Sequence, residues 1–269
     1  MRYLASVLRL VLAVGMAVSL LSCGGLETTT LSPDRLMYYN LTHFTVDGPN
    51  LDKGINLLAP KCSNVTEVTA SATATHKEYT CTPGVVGAMT VTVVGGNAVL
   101  HTTTYQVPAP QVTVKTNLGN MVLELDPTAA PNTVKNFLQY VADNFYSNLI
   151  FHRVIAGFVI QAGGYDAALA ASTTRAAIPL EVNNGLSNVR GSVAMARTSA
   201  PDSATSQFYI NLVDNLNLDT DSGGYAVFGK VVTGLATVDT IAAVPTQASG
   251  GMSDVPVTPV VISSVTQTQ

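Results

Sequence analysis

The sequence predicts a mainly β protein in two parts, a small β-sandwich followed by a closed β-barrel with helical plugs. Three observations carry this. Short alternating or β-branched runs separated by turn signals recur between residues 37 and 107. The stiff segment Val107-Pro108-Ala109-Pro110 then breaks the pattern. From Gln111 onward two helical stripes stand among many further strand runs, the mixture expected of a barrel capped at its open ends. A length of 269 residues suits about two domains.

Composition narrows the function classes. The chain is 47% hydrophobic and 11% charged, enough apolar material for a sizeable core. Its formal charge is −4 and it has no block of Lys or Arg, so nucleic-acid binding is not expected. His43, His76, His101 and His152 are scattered, and the three cysteines never fall at C-x-x-C spacing. Neither a metal nor any other cofactor is expected.

Residues 1–22 read as a signal peptide. Arg2 and Arg9 supply its positive start, and residues 10–21 form a 12-residue apolar run. That run is shorter than the roughly 20 residues needed to span a bilayer, and it fits a secretory core. It ends in Leu20-Leu21-Ser22-Cys23, which resembles a bacterial lipobox with Cys23 as the lipidated residue. Such a signal implies cleavage before Cys23 and several acyl chains on it, a firm anchor where one chain alone is marginal. Gly24, rather than Asp, after the cysteine points to the outer membrane, facing the periplasm. An ordinary signal peptide with a coincidental cysteine is the alternative. The lipid anchor is the only membrane attachment expected.

Residues 23–36 read as a tether. The sandwich is expected over 37–107, from seven runs: MYYN, HFTV, INLL, VTEVTA, KEYTC, MTVTVV and AVLHTTTYQV. Gly95-Gly96-Asn97 marks a hairpin between the last two. The zone is similar to bacterial immunoglobulin-like modules. Cys62 and Cys81 both lie in it, and in an oxidising envelope compartment a disulfide between them is expected, with two separate buried thiols as the alternative.

The second part is expected over 110–269. QVTVKT and NMVLEL flank Asn117-Leu118-Gly119-Asn120, a hairpin. Pro131 opens a helix as its first residue, and Val134, Phe137, Leu138 and Val141 give it one apolar stripe. Strands are expected at 150–161, 191–197, 206–212 and 226–232. A second helix fits 234–244, with Leu235, Val238 and Ala242 on one face and Pro245 ending it, and VVISSVTQ closes the chain as a strand.

The chemistry concentrates in FHRVIAGFVIQAGG at 151–164 and in GSVAMARTSAPDSATSQFYINL at 191–212. Arg153 sits in a strongly apolar strand, where an unpaired cation is costly. Taken alone it reads as half of a structural ion pair. Gly163-Gly164 allows a turn or a close backbone approach. His152 reads as structural, and the serines at 199, 203 and 206 have no paired base.

These two blocks, with GGYAVFGKVVTGL at 223–235, resemble a cyclophilin-type peptidyl-prolyl cis–trans isomerase of the bacterial periplasmic branch, over about residues 110–269. The resemblance implies an eight-stranded closed barrel with two capping helices and a substrate groove on its outer face. It implies Arg153 as the catalytic residue. Substrate binding falls to Phe158, Val159, Gln161, Ala196, Arg197, Gln207, Tyr209, Leu218 and Tyr225. Val159 replaces the common Met, and Tyr209 stands where Phe is usual. Asn217 stands where eukaryotic members carry Trp and many bacterial ones Phe. The implied partners are proline-containing polypeptides, and the protein is expected to be a monomer. The physics agrees: rotation about an X–Pro amide breaks no bond, so it needs no nucleophile, metal or base. Two other readings are carried: a proline-peptide-binding chaperone with weak turnover, and a structural or adhesive envelope lipoprotein acting through its sandwich.

Overall fold

The computed structural model describes residues 28–269, so the expected signal peptide and Cys23 lie outside the described residues. No helix among the described residues is long and apolar enough to cross a membrane.

The N-terminal part is a sandwich of seven strands: β1 (Thr30–Pro33), β2 (Thr42–Asp47), β3 (Ile55–Leu58), β4 (Cys62–Val68), β5 (His76–Pro83), β6 (Gly87–Gly95) and β7 (Ala98–Val107). They form two sheets, ordered β1-β2-β5-β4 and β3-β6-β7. That is the ABED and CFG division of an immunoglobulin constant-type fold. Alternate residues face inward, so Phe44 and Val46 of β2 meet Met89, Val91 and Val93 of β6 in the core. Phe44 also packs on Tyr105 of β7, with ring centroids 5.8 Å apart. Cys62 and Cys81 are joined across 5.7 Å between Cα atoms. The bond links neighbouring strands of one sheet, unlike the inter-sheet bridge of antibody domains.

Two expectations differ here. The stretch 23–36 is not wholly a tether, because Thr30–Pro33 pairs along β2 with Leu31 opposite Val46. A four-residue strand that buries one side chain carries no periodic signal, and only its partner strand reveals it. Conversely, MYYN at 37–40 is a turn rather than a strand, with Tyr39 at a φ of 57°. Its tyrosines serve the domain junction. The Gln139 side-chain amide donates to the Tyr39 hydroxyl at 2.9 Å, and that of Gln267 to the Tyr38 carbonyl at 2.9 Å.

The C-terminal part contains β8 (Gln111–Thr116), β9 (Gly119–Leu125), α1 (Pro131–Ala142), β10 (Leu149–Ile155), β11 (Val159–Asp166), β12 (Ser192–Met195), β13 (Phe208–Asn211), β14 (Val227–Thr233), α2 (Leu235–Ala242), β15 (Thr246–Ser249), β16 (Met252–Pro256) and β17 (Ile262–Gln267). Eight strands form one antiparallel sheet in the order β10-β11-β13-β12-β14-β9-β8-β17. Backbone bonds from Asn148 to Ile262 (2.8 Å) and from Phe151 to Val260 (3.0 Å) tie its two edges and nearly close the barrel. Closure removes the exposed edges that an open sheet would leave.

Helix α1 plugs the barrel. Val134, Phe137, Leu138 and Val141 are all buried, and the Phe137 ring meets Phe208 edge-on at 5.5 Å. Its N-terminus begins at Pro131 without a side-chain cap of its own. Glu181, from the long β11–β12 connection, takes that role: its two oxygens accept from the Asn132 and Thr133 backbone N–H groups at 3.0 and 2.8 Å. A carboxylate there satisfies orphan donors and meets the positive end of the helix dipole. Helix α2 buries Val238 and Ile241, whereas Leu235, expected on the buried face, is 40% exposed. The β15–β16 hairpin lacks an apolar alternation and was not expected.

The run 150–161, expected as one strand, is two. Ala156-Gly157 turns the chain, with Gly157 at a φ of 71°, and both arms are apolar enough to look continuous in sequence. This hairpin sets Arg153 opposite Gln161.

Candidate active site

The site follows from the two-residue period of the barrel strands. Ile160, Ala162, Val193, Met195, Phe208, Ile210 and Phe228 point into the barrel and join its core. Their neighbours Val159, Ala194, Tyr209 and Val227 therefore point outward, where they form a second, smaller apolar cluster with Phe158, Ala196, Leu218 and Tyr225. Register lines these positions into one row across five strands. Arg153 faces Gln161, Gln161 faces Tyr209, Tyr209 faces Ala194, and Ala194 faces Val227.

A groove of about 380 Å³ lies over this row, lined by Arg153, Phe158, Val159, Gln161, Ala196, Arg197, Tyr209, Leu218 and Tyr225. Those are nine of the ten residues singled out from sequence. The tenth, Gln207, lies just beside it, its side-chain oxygen accepting from Gln161 at 2.8 Å. Gln161 in turn accepts from the Arg153 guanidinium at 3.4 Å. This chain of amides tethers the half-buried guanidinium, which lines the groove. Among the described residues Arg153 has no carboxylate within 4.0 Å, so the ion-pair reading of this residue finds no partner there. Among the described residues its guanidinium donates only to Gln161, so most of its five donors are uncommitted.

Arg197 is different. Its guanidinium donates to the carbonyls of Thr198, Ser222 and Gly224 at 2.7–3.0 Å and stacks on the Tyr225 ring at 4.6 Å. It clamps the 222–225 loop against the groove and offers little to a ligand. Gly163-Gly164 lies inside β11 and serves close approach. A Cβ on Gly164 would stand 2.5 Å from the Gln207 side chain, so any larger residue would displace that amide.

Tyr209 keeps the groove as deep as a phenylalanine would. Its ring forms the floor, while its hydroxyl turns away and donates to Asn188 Oδ1 at 2.7 Å. Burial pushes that phenol far above the ordinary tyrosine range, so it remains a donor. Asn188 was not found from sequence, and it anchors a buried network. Its Oδ1 also accepts from Asn211 at 3.0 Å, and its own amide donates to Asp219 at 2.8 Å. Asn215 donates to Asn211 and to the Phe158 carbonyl, at 2.8 and 3.0 Å. The walls of the apolar pocket thus hang from one polar scaffold. A lone Asn in a long loop carries no sequence signal for this. Asn217 is exposed, donates to Asp221 at 2.8 Å and does not line the groove.

His152 is 3% exposed, and burial pulls its pKa down to about 4. The imidazole is neutral at ordinary pH, which suits a structural role beside Arg153.

Comparison with known proteins accounts for this arrangement. Residues 111–267 match the family model described as cyclophilin type peptidyl-prolyl cis-trans isomerase/CLD. A peptidyl-prolyl cis-trans isomerase of Acinetobacter baylyi is 54% identical over 156 residues, 57% of this chain and 83% of that one. Peptidyl-prolyl cis-trans isomerase B of Escherichia coli is 51% identical over 160 residues, 58% of this chain and 98% of that one. Among solved structures, a cyclophilin type peptidyl-prolyl cis-trans isomerase of Cryptosporidium parvum superposes with a TM-score of 0.51 at 28% identity, over 60% of this chain and 98% of that one. A second structure of that protein, in the presence of the dipeptide Ala-Pro, gives a TM-score of 0.50. The sandwich at 30–107 lies outside the family match. With its barrel, its outward-facing apolar pocket and its free arginine, the chain belongs to the cyclophilin-type peptidyl-prolyl cis-trans isomerases.

Proposed function

We propose that this isomerase acts on envelope proteins from a lipid anchor on Cys23, as a monomer on the periplasmic side of the outer membrane, with Arg153 as its catalytic residue. The observation that carries the catalytic assignment is the uncommitted guanidinium beside the apolar pocket, in one row with Gln161 and Tyr209. The barrier to X–Pro rotation comes from amide resonance, about 18–20 kcal/mol. In the twisted state the nitrogen loses conjugation and becomes an acceptor. Phe158, Val159, Tyr209 and Leu218 hold the proline ring, while Arg153 donates toward the prolyl carbonyl and the pyramidal nitrogen. The donation is stronger in the twisted state than in either planar one, which lowers the barrier. Arg suits the role because it stays charged and its donors form a rigid fork. A structural relative solved in the presence of Ala-Pro supports proline-containing peptides as the substrate class.

The envelope assignment is supported by the apolar run ending at Cys23 and by the paired Cys62 and Cys81, since disulfides persist in oxidising compartments. Cys23→Ser should move the protein from the membrane fraction to the soluble one. A variant that still resists salt and carbonate extraction would refute the anchor.

A further inference from the structure

Beyond Arg153 the groove opens into a second hollow of about 390 Å³. Arg153 and Gln161 line both hollows. A peptide with its proline in the first and its backbone over Arg153 therefore runs across Gln161 into the second. The far rim is the start of β16, Met252, Ser253 and Asp254. Register places Gln247 opposite Val255 and Ser249 opposite Met252, so two residues of β16, Ser253 and Asp254, oppose one of β15. Such a bulge lifts side chains out of the ladder and re-aims them.

The chemistry of the hollow is asymmetric. Among the described residues Asp254 is the only carboxylate lining it. It is half-buried, and among the described residues no cation lies within 4.0 Å of it. Tyr165 and Met252 supply apolar wall. His152 lines the hollow too, and its Nδ1 is buried without a hydrogen-bond partner. Among the described residues Arg153 is the one cation lining it, and its guanidinium donates to Gln161 at 3.4 Å. An apolar wall that leads to a free carboxylate matches a long side chain with an aliphatic stem and a cationic head.

We propose that this hollow is a substrate subsite in which Asp254 selects a lysine or arginine flanking the isomerised proline. The proposal rests on the seating of the peptide over Arg153 proposed above.

The test is a set of short peptides that carry Lys, Ala or Glu at each position within two residues of the proline. Isomerisation is measured with the full chain at low salt. At one flanking position the Lys peptide should exceed the Glu peptide in kcat/KM by about two- to ten-fold, the range for one partly exposed charge pair gained against one repulsion. The ratio should shrink at high salt and fall to near one in Asp254→Asn, and Asp254→Lys should reverse it. An equal rate for Lys and Glu peptides at every position overturns the subsite. So does a ratio that survives Asp254→Asn, including the case where that variant slows all peptides alike. If the wild type accelerates no peptide, the seating over Arg153 is what fails, and the subsite falls with it.

Discussion

The hydroxyl of Tyr209 gives the scaffold under the proline pocket a quantitative test. It donates to Asn188 Oδ1 at 2.7 Å inside the protein, and Asn188 is fully buried. Removing Asn188 as Asn188→Ala leaves the hydroxyl without a partner, which costs about 1–3 kcal/mol. The same change removes the amide bond to Asp219, about 1 kcal/mol more. Asn211 keeps its bond to Ser192 at 2.9 Å, so it is not fully orphaned. The expected loss is about 3 kcal/mol. Tyr209→Phe should cost only about 1 kcal/mol, because Asn188 Oδ1 still accepts from Asn211. Combined, the two changes should cost less than their sum by about 1–2 kcal/mol, since the double variant has no hydroxyl to strand. Urea unfolding followed by circular dichroism and by residual isomerase activity reads the barrel's transition for all four proteins. Tyr209→Phe should leave kcat/KM nearly unchanged, because the ring faces the groove and the hydroxyl does not. Additive losses, within about 0.5 kcal/mol, would refute the bond between these side chains.

Three further outcomes follow from the same geometry. Arg153→Ala should keep the fold and lower kcat/KM by about 10²–10³-fold, the effect of deleting one preorganised donor, and a folded variant with full activity would refute its role. His152 titrates near 6.5 when unfolded and about 4 when folded, so the unfolded chain takes up a proton first as pH falls. Stability should therefore drop by about 1–3 kcal/mol between pH 6.5 and 4, with a shallower drop in His152→Gln, and equal slopes would refute the burial argument. Replacing Cys62 and Cys81 together by Ser should destabilise the sandwich by about 3 kcal/mol, as expected for a separation of 19 residues, while the isomerase rate stays unchanged; calorimetry and the peptide assay together check this.

Much of this protein is legible in its amino-acid sequence. The alternation of HFTV, INLL and MTVTVV, the stripe of α1 behind Pro131, and the three motif blocks depend on local periodicity and on residue types whose chemistry is specific. A strand's period of two even implies that Val159 and Ile160, or Phe208 and Tyr209, face opposite sides of the barrel. Sequence could not decide which relations hold across the sheet. That Arg153 stands opposite Gln161 depends on a turn at Gly157 hidden in an apolar run, and that Tyr209 joins their row depends on register set by strands far apart in the chain. Thr30–Pro33 is a strand only because β2 offers it an edge, and Met37–Asn40 is a turn because its tyrosines are claimed by the barrel. Asn188, Glu181 and Asp254 belong to irregular segments or a bulge, where no period marks which side chains face inward. Their roles arise from hydrogen bonds and charges brought together by chain closure. Local propensity scores neighbours in sequence, whereas a barrel wall is built from neighbours in space.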